Sequence, residues 1–214
     1  MQVLSRVLSY AVDPMSKIAS NPCEGIKGLY TNNRAEIIWL AADIELLRAH
    51  ASPEVMNAVD LAAHTGLRVS DLIRLSWSHV GDDAIIISTG KSRHKREAII
   101  PIYDDLRALL KRIPKRSTAI LTNTRGAPWR EGGLNSSMET PMEKSGLSER
   151  DLHFHDLRGT AATKFYVAGL SIRVIAEIMG WEEEYVEKII RRYVDRSAAV
   201  RAAIKQINEA KKGT

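Results

Sequence analysis

Four short segments, widely separated in the sequence, carry side chains that could act together on an anionic group. They are Thr65-Gly-Leu-Arg68, the basic turn that begins at Gly90-Lys91, His155-Asp-Leu-Arg158, and Gly180-Trp181 followed by Arg191-Arg-Tyr193. Guanidinium groups stay charged and offer paired donors that match the oxygens of a phosphate. A tyrosine hydroxyl can serve as a covalent nucleophile. Each segment alone is more often a helix end or a solvated surface, so the prediction depends on their joint occurrence.

In content and order, these segments resemble the signature of the tyrosine recombinases, the phage integrase family. That signature has an arginine after Thr-Gly, a lysine in a β-turn, a His-x-x-Arg, a His or Trp after Gly, and then a tyrosine. The resemblance extends from about residue 36 to about residue 200. It implies a mainly α fold with a small antiparallel β-sheet (α+β), the tyrosine recombinase catalytic domain. The implied activity is that of a prophage or mobile-element integrase, which cleaves and rejoins DNA at specific sites without metal, ATP or another cofactor.

The resemblance points to six catalytic residues: Arg68, Lys91, His155, Arg158, Trp181 and Tyr193. The two arginines would neutralise the charge that builds on the nonbridging oxygens, in place of a metal ion. Lys91 would protonate the leaving 5′ oxygen, and Lys95 in the same turn is the competing choice. Tyr193 would attack phosphorus and give a 3′-phosphotyrosine and a free 5′ hydroxyl.

The resemblance, together with spacing, implies further supporting roles. His155 lies three residues before Arg158, so on a helix the two side chains would share one face and point to one phosphate. Trp181 would donate its indole N–H to the phosphate and shield the site with its ring. Asp71, three residues after Arg68, could hold that arginine's orientation, or could simply be an acid favoured at a helix N-terminus.

Two other tyrosines are possible rivals to Tyr193 as the nucleophile. Tyr185 is the nearest rival, but it lies only four residues after Trp181, which is closer than the family pattern allows. Tyr166 belongs to the predicted helix of Arg158 and is interpreted as a packing residue. The acidic run Glu182–Glu184 is unusual beside a phosphate site, and we expect it to face solvent.

The elements that must position these residues follow from hydrophobic periodicity, caps and glycine stops. Helices are predicted at 2–12, from Ser52-Pro53 to Thr65, from about Ser70, at 104–112, at about 156–168, at 172–179, at 182–192 and at 197–211. A switch to β-rich runs at 84–88 and 98–102 predicts a hairpin whose turn carries Lys91. Residues 122–150, rich in Gly, Asn, Ser and Pro, are predicted to be irregular.

We divide the chain into three parts: a remnant helix of a core-binding domain plus linker (1–34), the catalytic domain (35–196) and a C-terminal helical tail (197–214). Members of the family usually begin with a separate helical domain that clamps the other face of DNA. Because only something like its final helix is recognisable here, the chain is interpreted as a fragment or a natural short form.

Composition is compatible with this interpretation without requiring it. Basic residues outnumber acidic ones 31 to 26, a net charge of +5, which suits nucleic-acid binding. Cys23 is the single cysteine, so no internal disulfide can form, and a reducing cytoplasm is expected. The resemblance implies that this cytoplasm is prokaryotic and that the protein is nucleoid-associated. No apolar run approaches the roughly 18 residues of a membrane span, so no membrane partner is expected.

The predicted partner is double-stranded DNA, bound by a homotetramer that forms through the tail. The tail's apolar stripe (Val200, Ala203, Ile204 and Ile207) permits this, and equally permits packing on its own domain. Candidate contacts to the DNA backbone are Arg93, Lys95, Arg125 and Arg130. Two alternatives stay open: strand relaxation as by type IB topoisomerases, and a noncatalytic DNA-binding protein in which residues 160–181 act as a helix-turn-helix.

Overall fold

A computed structural model describes residues 2–26, 37–90, 97–194, 200 and 204 of the chain, which divides into two compact units, residues 1–33 and residues 34–214. The smaller unit contains helix α1 (Gln2–Val12), which confirms the helix predicted there. The side-chain amide of Asn21 donates to the carbonyl of Ser5 and to the hydroxyl of Ser9, both at 2.8 Å. These bonds fasten the segment after the helix back onto it.

Within the described part of the larger unit, eight α-helices accompany a two-stranded antiparallel sheet. The helices are α2 (Ala41–Arg48), α3 (Pro53–Thr65), α4 (Val69–Leu72), α5 (Asp104–Arg112), α6 (Glu131–Lys144), α7 (Leu157–Val167), α8 (Ile172–Met179) and α9 (Glu183–Tyr193). The strands are β1 (Ala84–Ser88) and β2 (Glu97–Pro101). The predicted fold class, mainly helical with a small antiparallel sheet, is confirmed.

The predicted hairpin is present. Ile85 pairs with Ile100 and Ile87 pairs with Ala98 across the two strands. All four side chains are buried, because alternate residues of a strand point to the same face. That face joins the main core, and residues 91–96 of the turn, with Lys91 and Lys95, lie outside the described residues.

Helix α3 begins and ends where its sequence predicts. The Ser52 hydroxyl accepts a hydrogen bond from the amide of Val55, Pro53 occupies the first turn, and Gly66 closes the helix in the left-handed conformation at φ 64°. Two residues later Arg68 stands at the N-cap of α4, in extended conformation. The local sequence thus fixes the chain direction at Arg68.

The irregular stretch predicted over 122–150 is wrong for much of its length, because α6 occupies residues 131–144. Leu134, Met138 and Met142 recur every four residues and are buried on one face of this helix. Two glycines, two serines and Pro141 obscured that spacing, since all three residue types are poor helix formers. Helix α2 was likewise not predicted.

Helices α7, α8 and α9 share a separate group of buried side chains. This group consists of Ala161, Ala162, Phe165, Ile175, Ala176, Met179, Val186 and Ile190. Apolar burial of this kind contributes about 25 cal/mol per Å² removed from water. The packing sets the relative positions of the segments that carry Arg158, Trp181 and Tyr193.

The first turn of α7 is held tightly against residues 37–39. The Thr160 hydroxyl donates to the carbonyl of Trp39 at 2.9 Å and accepts from its amide at 3.0 Å. A Cβ added at Gly159 would lie only 2.6 Å from Cγ2 of Ile38. The glycine that follows Arg158 is therefore required for this close approach.

A buried carboxylate connects α2, α3 and α5. Asp60 accepts hydrogen bonds from Arg48, at 2.7 Å and 3.0 Å, and from Arg112, at 2.6 Å. The hydrogen bond to Asp60 raises the pKa of Arg48. Removing the acid would leave two arginines without their shared counter-charge.

We expect Asp60→Ala to lower the free energy of unfolding by about 2 kcal/mol. Breaking a buried ion pair costs about 3–5 kcal/mol, and the partial exposure of both arginines reduces that cost. The matched control is Glu177→Ala, which breaks the exposed 3.3 Å pair with Arg173 and should cost less than about 0.5 kcal/mol. Chemical denaturation at neutral pH measures both, and equal losses would contradict the structural role of Asp60.

Candidate active site

Arg158 is the second residue of α7, and it is only 3% exposed. Its Nη2 donates to the carbonyl oxygen of Met179, the last residue of α8. Its Nε is buried and has no hydrogen-bond partner within the described residues. A buried guanidinium with an unused donor is costly, so this arginine is suited to receive a further acceptor.

Arg68 lies close enough to Arg158 to affect its ionisation. Burial, and after it the positive charge of Arg68, lower the pKa of Arg158 to about 9. Two adjacent cations in a partly desolvated place repel each other. An anion placed between them would relieve both effects, and a phosphate has the charge and the oxygens to do so.

Trp181 forms one wall of this site. The guanidinium carbon of Arg158 lies 4.7 Å from the centroid of the Trp181 ring, a cation–π contact that stabilises a partly desolvated arginine. The sequence predicts that Trp181 donates its indole N–H and shields the site with its ring. In the structure the ring face contacts Arg158.

Tyr185 also contacts the ring of Trp181. The two ring centroids lie 4.8 Å apart at an interplanar angle of 82°, an edge-to-face contact. Tyr185 also interacts electrostatically with Arg158. The residue considered from the sequence as a rival nucleophile thus lies beside the arginine pair.

The turn that leads to Arg68 passes close to α7 and α8. A Cβ added at Gly66 would lie 2.6 Å from Cε of Met179 and 3.2 Å from Cβ of Ala161, and would also press on the Met179 sulfur. Gly66 therefore serves two purposes, a left-handed helix end and a close approach. This contact brings the Arg68 segment to the residue whose carbonyl holds Arg158.

Asp71 contacts a different group from the one considered first. Its Oδ1 accepts from the amide of Gly90 at 2.9 Å and from Arg74 at 3.4 Å; among the described residues no hydrogen bond joins it to Arg68. The carboxylate is buried, and its Oδ2 has no partner in that same part of the chain. Asp71 therefore ties the helix after Arg68 to the residue directly before Lys91.

His155 is exposed and lies in a 3₁₀ turn (Phe154–Asp156) that leads into α7. His155 therefore lies just before α7, which begins at Leu157, and its side chain is exposed whereas that of Arg158 is buried. His155 lines an open cleft of about 670 Å³, together with Val69, the residue after Arg68. The cleft places it next to the Arg68 segment.

Tyr193 is the last residue of α9, half-buried. It follows Tyr185 by eight residues, about 12 Å further along the helix axis. Helix α9 packs on α7 and α8 through Val186 and Ile190. The structure thus places Tyr193 on a helix fixed against the arginine segment, at the end remote from Trp181.

A polar cluster that the sequence did not indicate lies between α3, α7 and the residue before α5. Nδ1 of His64 and the hydroxyl of Tyr103 are 2.6 Å apart, and the Lys164 ammonium lies 3.4 Å from Nε2 of His64. Burial, followed by the charge of Lys164, lowers the pKa of His64 to about 4. The cluster links the C-terminal end of α3, just before Gly66, to α7.

Two further properties of the described residues bear on the site. They include no group of three or more His, Cys, Asp or Glu side chains arranged to hold a metal ion. None of the described helices combines the length and apolar character needed to cross a bilayer.

Comparison with known proteins agrees with the sequence resemblance. Residues 39–199 match the model of the phage integrase family. The tyrosine recombinase XerC of Haemophilus ducreyi is 30% identical over 177 residues, which cover 75% of this chain and 56% of that protein. The chain spans between 38% and 57% of the length of the curated relatives that it matches.

Solved structures share the fold. A lambda integrase dimer bound to a COC′ core site matches with a TM-score of 0.69 at 18% identity, over 91% of this chain and 59% of that one. A lambda integrase tetramer bound to a Holliday junction matches with a TM-score of 0.66 at 21% identity, over 85% of this chain and 56% of that one. At these identities the likeness concerns the fold.

Gly66→Ala tests the close approach beside Arg68. The variant should lose about 2 kcal/mol of unfolding free energy, because the alanine must adopt a positive φ and must also displace Met179. Gly126→Ala is the matched control: it has a similar φ of 76° with nothing within 4 Å of an added Cβ, so it should lose only about 1 kcal/mol. Thermal or chemical unfolding compares them, and a smaller loss for Gly66→Ala would contradict the close contact.

The depressed pKa of His64 predicts a loss of stability in acid. Its folded pKa of about 4 lies below the ordinary value of 6.5, so between these values the unfolded chain binds a proton that the folded chain does not. The contribution of neutral His64 to the free energy of unfolding is therefore fully present above pH 6.5 and is lost as the pH drops toward 4. Between pH 7 and pH 5 we expect wild type to lose about 1 kcal/mol more than His64→Gln, after allowance for partial exposure. Parallel pH profiles would contradict this.

Proposed function

Because this chain belongs to the phage integrase family, we propose that it cleaves and rejoins DNA strands at specific sites through a tyrosine–phosphate bond. The observation that carries the proposal is the environment of Arg158. Its guanidinium is buried, lies beside a second arginine, rests on Trp181 and retains a donor without a partner among the described residues. A DNA phosphodiester supplies the missing negative charge and the hydrogen-bond acceptors.

In the proposed reaction, the hydroxyl oxygen of Tyr193 attacks phosphorus while the bond to the 5′ oxygen breaks. The tyrosine proton passes to a base, for which His155 is the candidate, and Lys91 gives a proton to the leaving 5′ oxygen. Arg68 and Arg158 stabilise the charge on the nonbridging oxygens in the transition state.

The products of this step are a 3′-phosphotyrosine and a free 5′ hydroxyl. Attack by a 5′ hydroxyl from another strand reverses the step. Neither a metal ion nor ATP takes part in the proposed reaction. Strand exchange then conserves the energy of the broken phosphodiester in the covalent intermediate.

The proposed partner is double-stranded DNA, with a homotetramer assembled through the tail 197–214. Support comes from the lambda integrase tetramer bound to a Holliday junction and from the net charge of +5. Most of the tail lies outside the described residues; Val200 and Ile204 are helical and exposed. The three-part division of the chain and action in a prokaryotic cytoplasm belong to the same proposal.

One alternative is weakened by the packing of α8. As the second helix of a helix-turn-helix, α8 would need polar side chains free to read bases. Ile175, Ala176 and Met179 are buried instead, and Arg173 pairs with Glu177 at 3.3 Å. The other alternative, a DNA-binding protein without catalysis, is distinguished from the proposed enzyme by the following experiment.

The test uses nicked duplexes with a randomised sequence upstream of the nick. Cleavage beside the nick releases a short strand with a 5′ hydroxyl, which diffuses away and leaves the protein bound covalently to DNA. We expect wild type to form this adduct, Tyr193→Phe to form none, and the recovered strands to share a sequence. Binding without any adduct would contradict the enzymatic function.

The role of the arginines is tested by the rate of adduct formation on a DNA substrate with the sequence recovered from the adducts. Arg158→Lys should slow adduct formation by about 100-fold or more, since one lysine cannot replace the fixed paired donors. Arg173→Lys on the exposed face of α8 is the matched control, and its rate should stay within about twofold of wild type. An unchanged rate in Arg158→Lys would contradict the role assigned to this arginine.

A further inference from the structure

A second tyrosine lies beside the arginine pair in a defined orientation. Tyr185, in the first turn of α9, contacts the ring of Trp181 edge to face, and Trp181 in turn contacts Arg158. Each of these side chains restricts the next, so the Tyr185 ring is anchored. An anchored ring fixes where its hydroxyl points, which is a requirement for a preorganised donor.

The Tyr185 hydroxyl lies near charged side chains without being hydrogen-bonded to another described residue. It interacts electrostatically with Arg158 and with Asp156, while no hydrogen bond engages this hydroxyl within the described residues. The side chain is 38% exposed, so a ligand can reach it. The hydroxyl is therefore free to donate to a group bound beside Arg158.

The environment also favours the protonated phenol. Burial raises the pKa of Tyr185, although the charge of Arg158 opposes this shift. A protonated phenol can donate a hydrogen bond but is a weak nucleophile. Tyr185 is therefore suited to donate a hydrogen bond at neutral pH.

We propose that Tyr185 is a further catalytic residue, which donates a hydrogen bond from its hydroxyl to a nonbridging oxygen of the phosphate held by Arg158 and Arg68. The inference rests on the proposed function, since it concerns the same phosphate. It adds a neutral donor to the two cations, and a neutral donor stabilises the transition state without adding to the repulsion between the arginines.

The first experiment compares Tyr185→Phe, Tyr166→Phe and Tyr193→Phe on a DNA substrate with the sequence that wild type selects. Tyr185→Phe keeps the ring against Trp181 and removes only the hydroxyl. We expect its single-turnover rate of adduct formation at saturating DNA to fall about tenfold or more, the effect of losing one hydrogen bond to a charged group. Tyr166→Phe, on α7 and assigned to packing, should stay within about twofold of wild type.

The outcomes separate the two proposals. No adduct with wild type defeats the proposed function, and with it this inference. An adduct with wild type and an unchanged rate in Tyr185→Phe defeats the inference alone. An adduct that survives in Tyr193→Phe and disappears in Tyr185→Phe would make Tyr185 the nucleophile and overturn both assignments.

A substrate change tests the contact itself. In a methylphosphonate, one nonbridging oxygen at the cleaved phosphate is replaced by a methyl group, in either of two diastereomers. If Tyr185 contacts one oxygen, the Tyr185→Phe penalty should shrink to about twofold with the diastereomer that lacks it and stay near tenfold with the other. An equal, full penalty with both would show that the hydroxyl acts elsewhere and would overturn the inference.

Discussion

Two positive charges close enough to repel each other impose the main constraint on the site around them. Arg158 is buried and Arg68 lies close by, so burial and repulsion both work against the protonated guanidinium. The protein compensates only in part, with the carbonyl of Met179, the face of Trp181 and the negative charge of Asp71. The pKa of Arg158 is still lowered overall. An anionic ligand would complete the arrangement, and phosphate geometry suits paired guanidinium donors.

The two arginines come from stretches of the chain that are 90 positions apart (158 − 68), and helix packing brings them together. Gly66 allows the end of α3 to touch Met179 and Ala161, and Gly159 allows the start of α7 to touch Ile38. A side chain at either glycine would separate elements that carry an arginine. The glycines in the two motifs are thus explained by contact distances as well as by backbone conformation.

What could be predicted from the sequence was the part encoded locally. The Ser52-Pro53 start and Gly66 end of α3, and the alternating isoleucines of the hairpin, are signals within a few residues. Helix α6 was not predicted because burial of its apolar face, a tertiary effect, overcomes the low helix propensity of its glycines, serines and proline. The cation–π contact, the bond from Arg158 to a backbone carbonyl and the Asp71–Gly90 link join distant residues. No spacing in a single sequence reports such contacts, and the position of Tyr185 beside Arg158 belongs to the same class.

The bond from Arg158 to Met179 has a mechanical consequence. Gly180 and Trp181 follow Met179 directly, so the arginine is attached to the same stretch of backbone that carries its aromatic support. Because its guanidinium is joined to the Met179 carbonyl, the Arg158 side chain can follow a small shift of α8, and the contact between cation and ring would survive that shift.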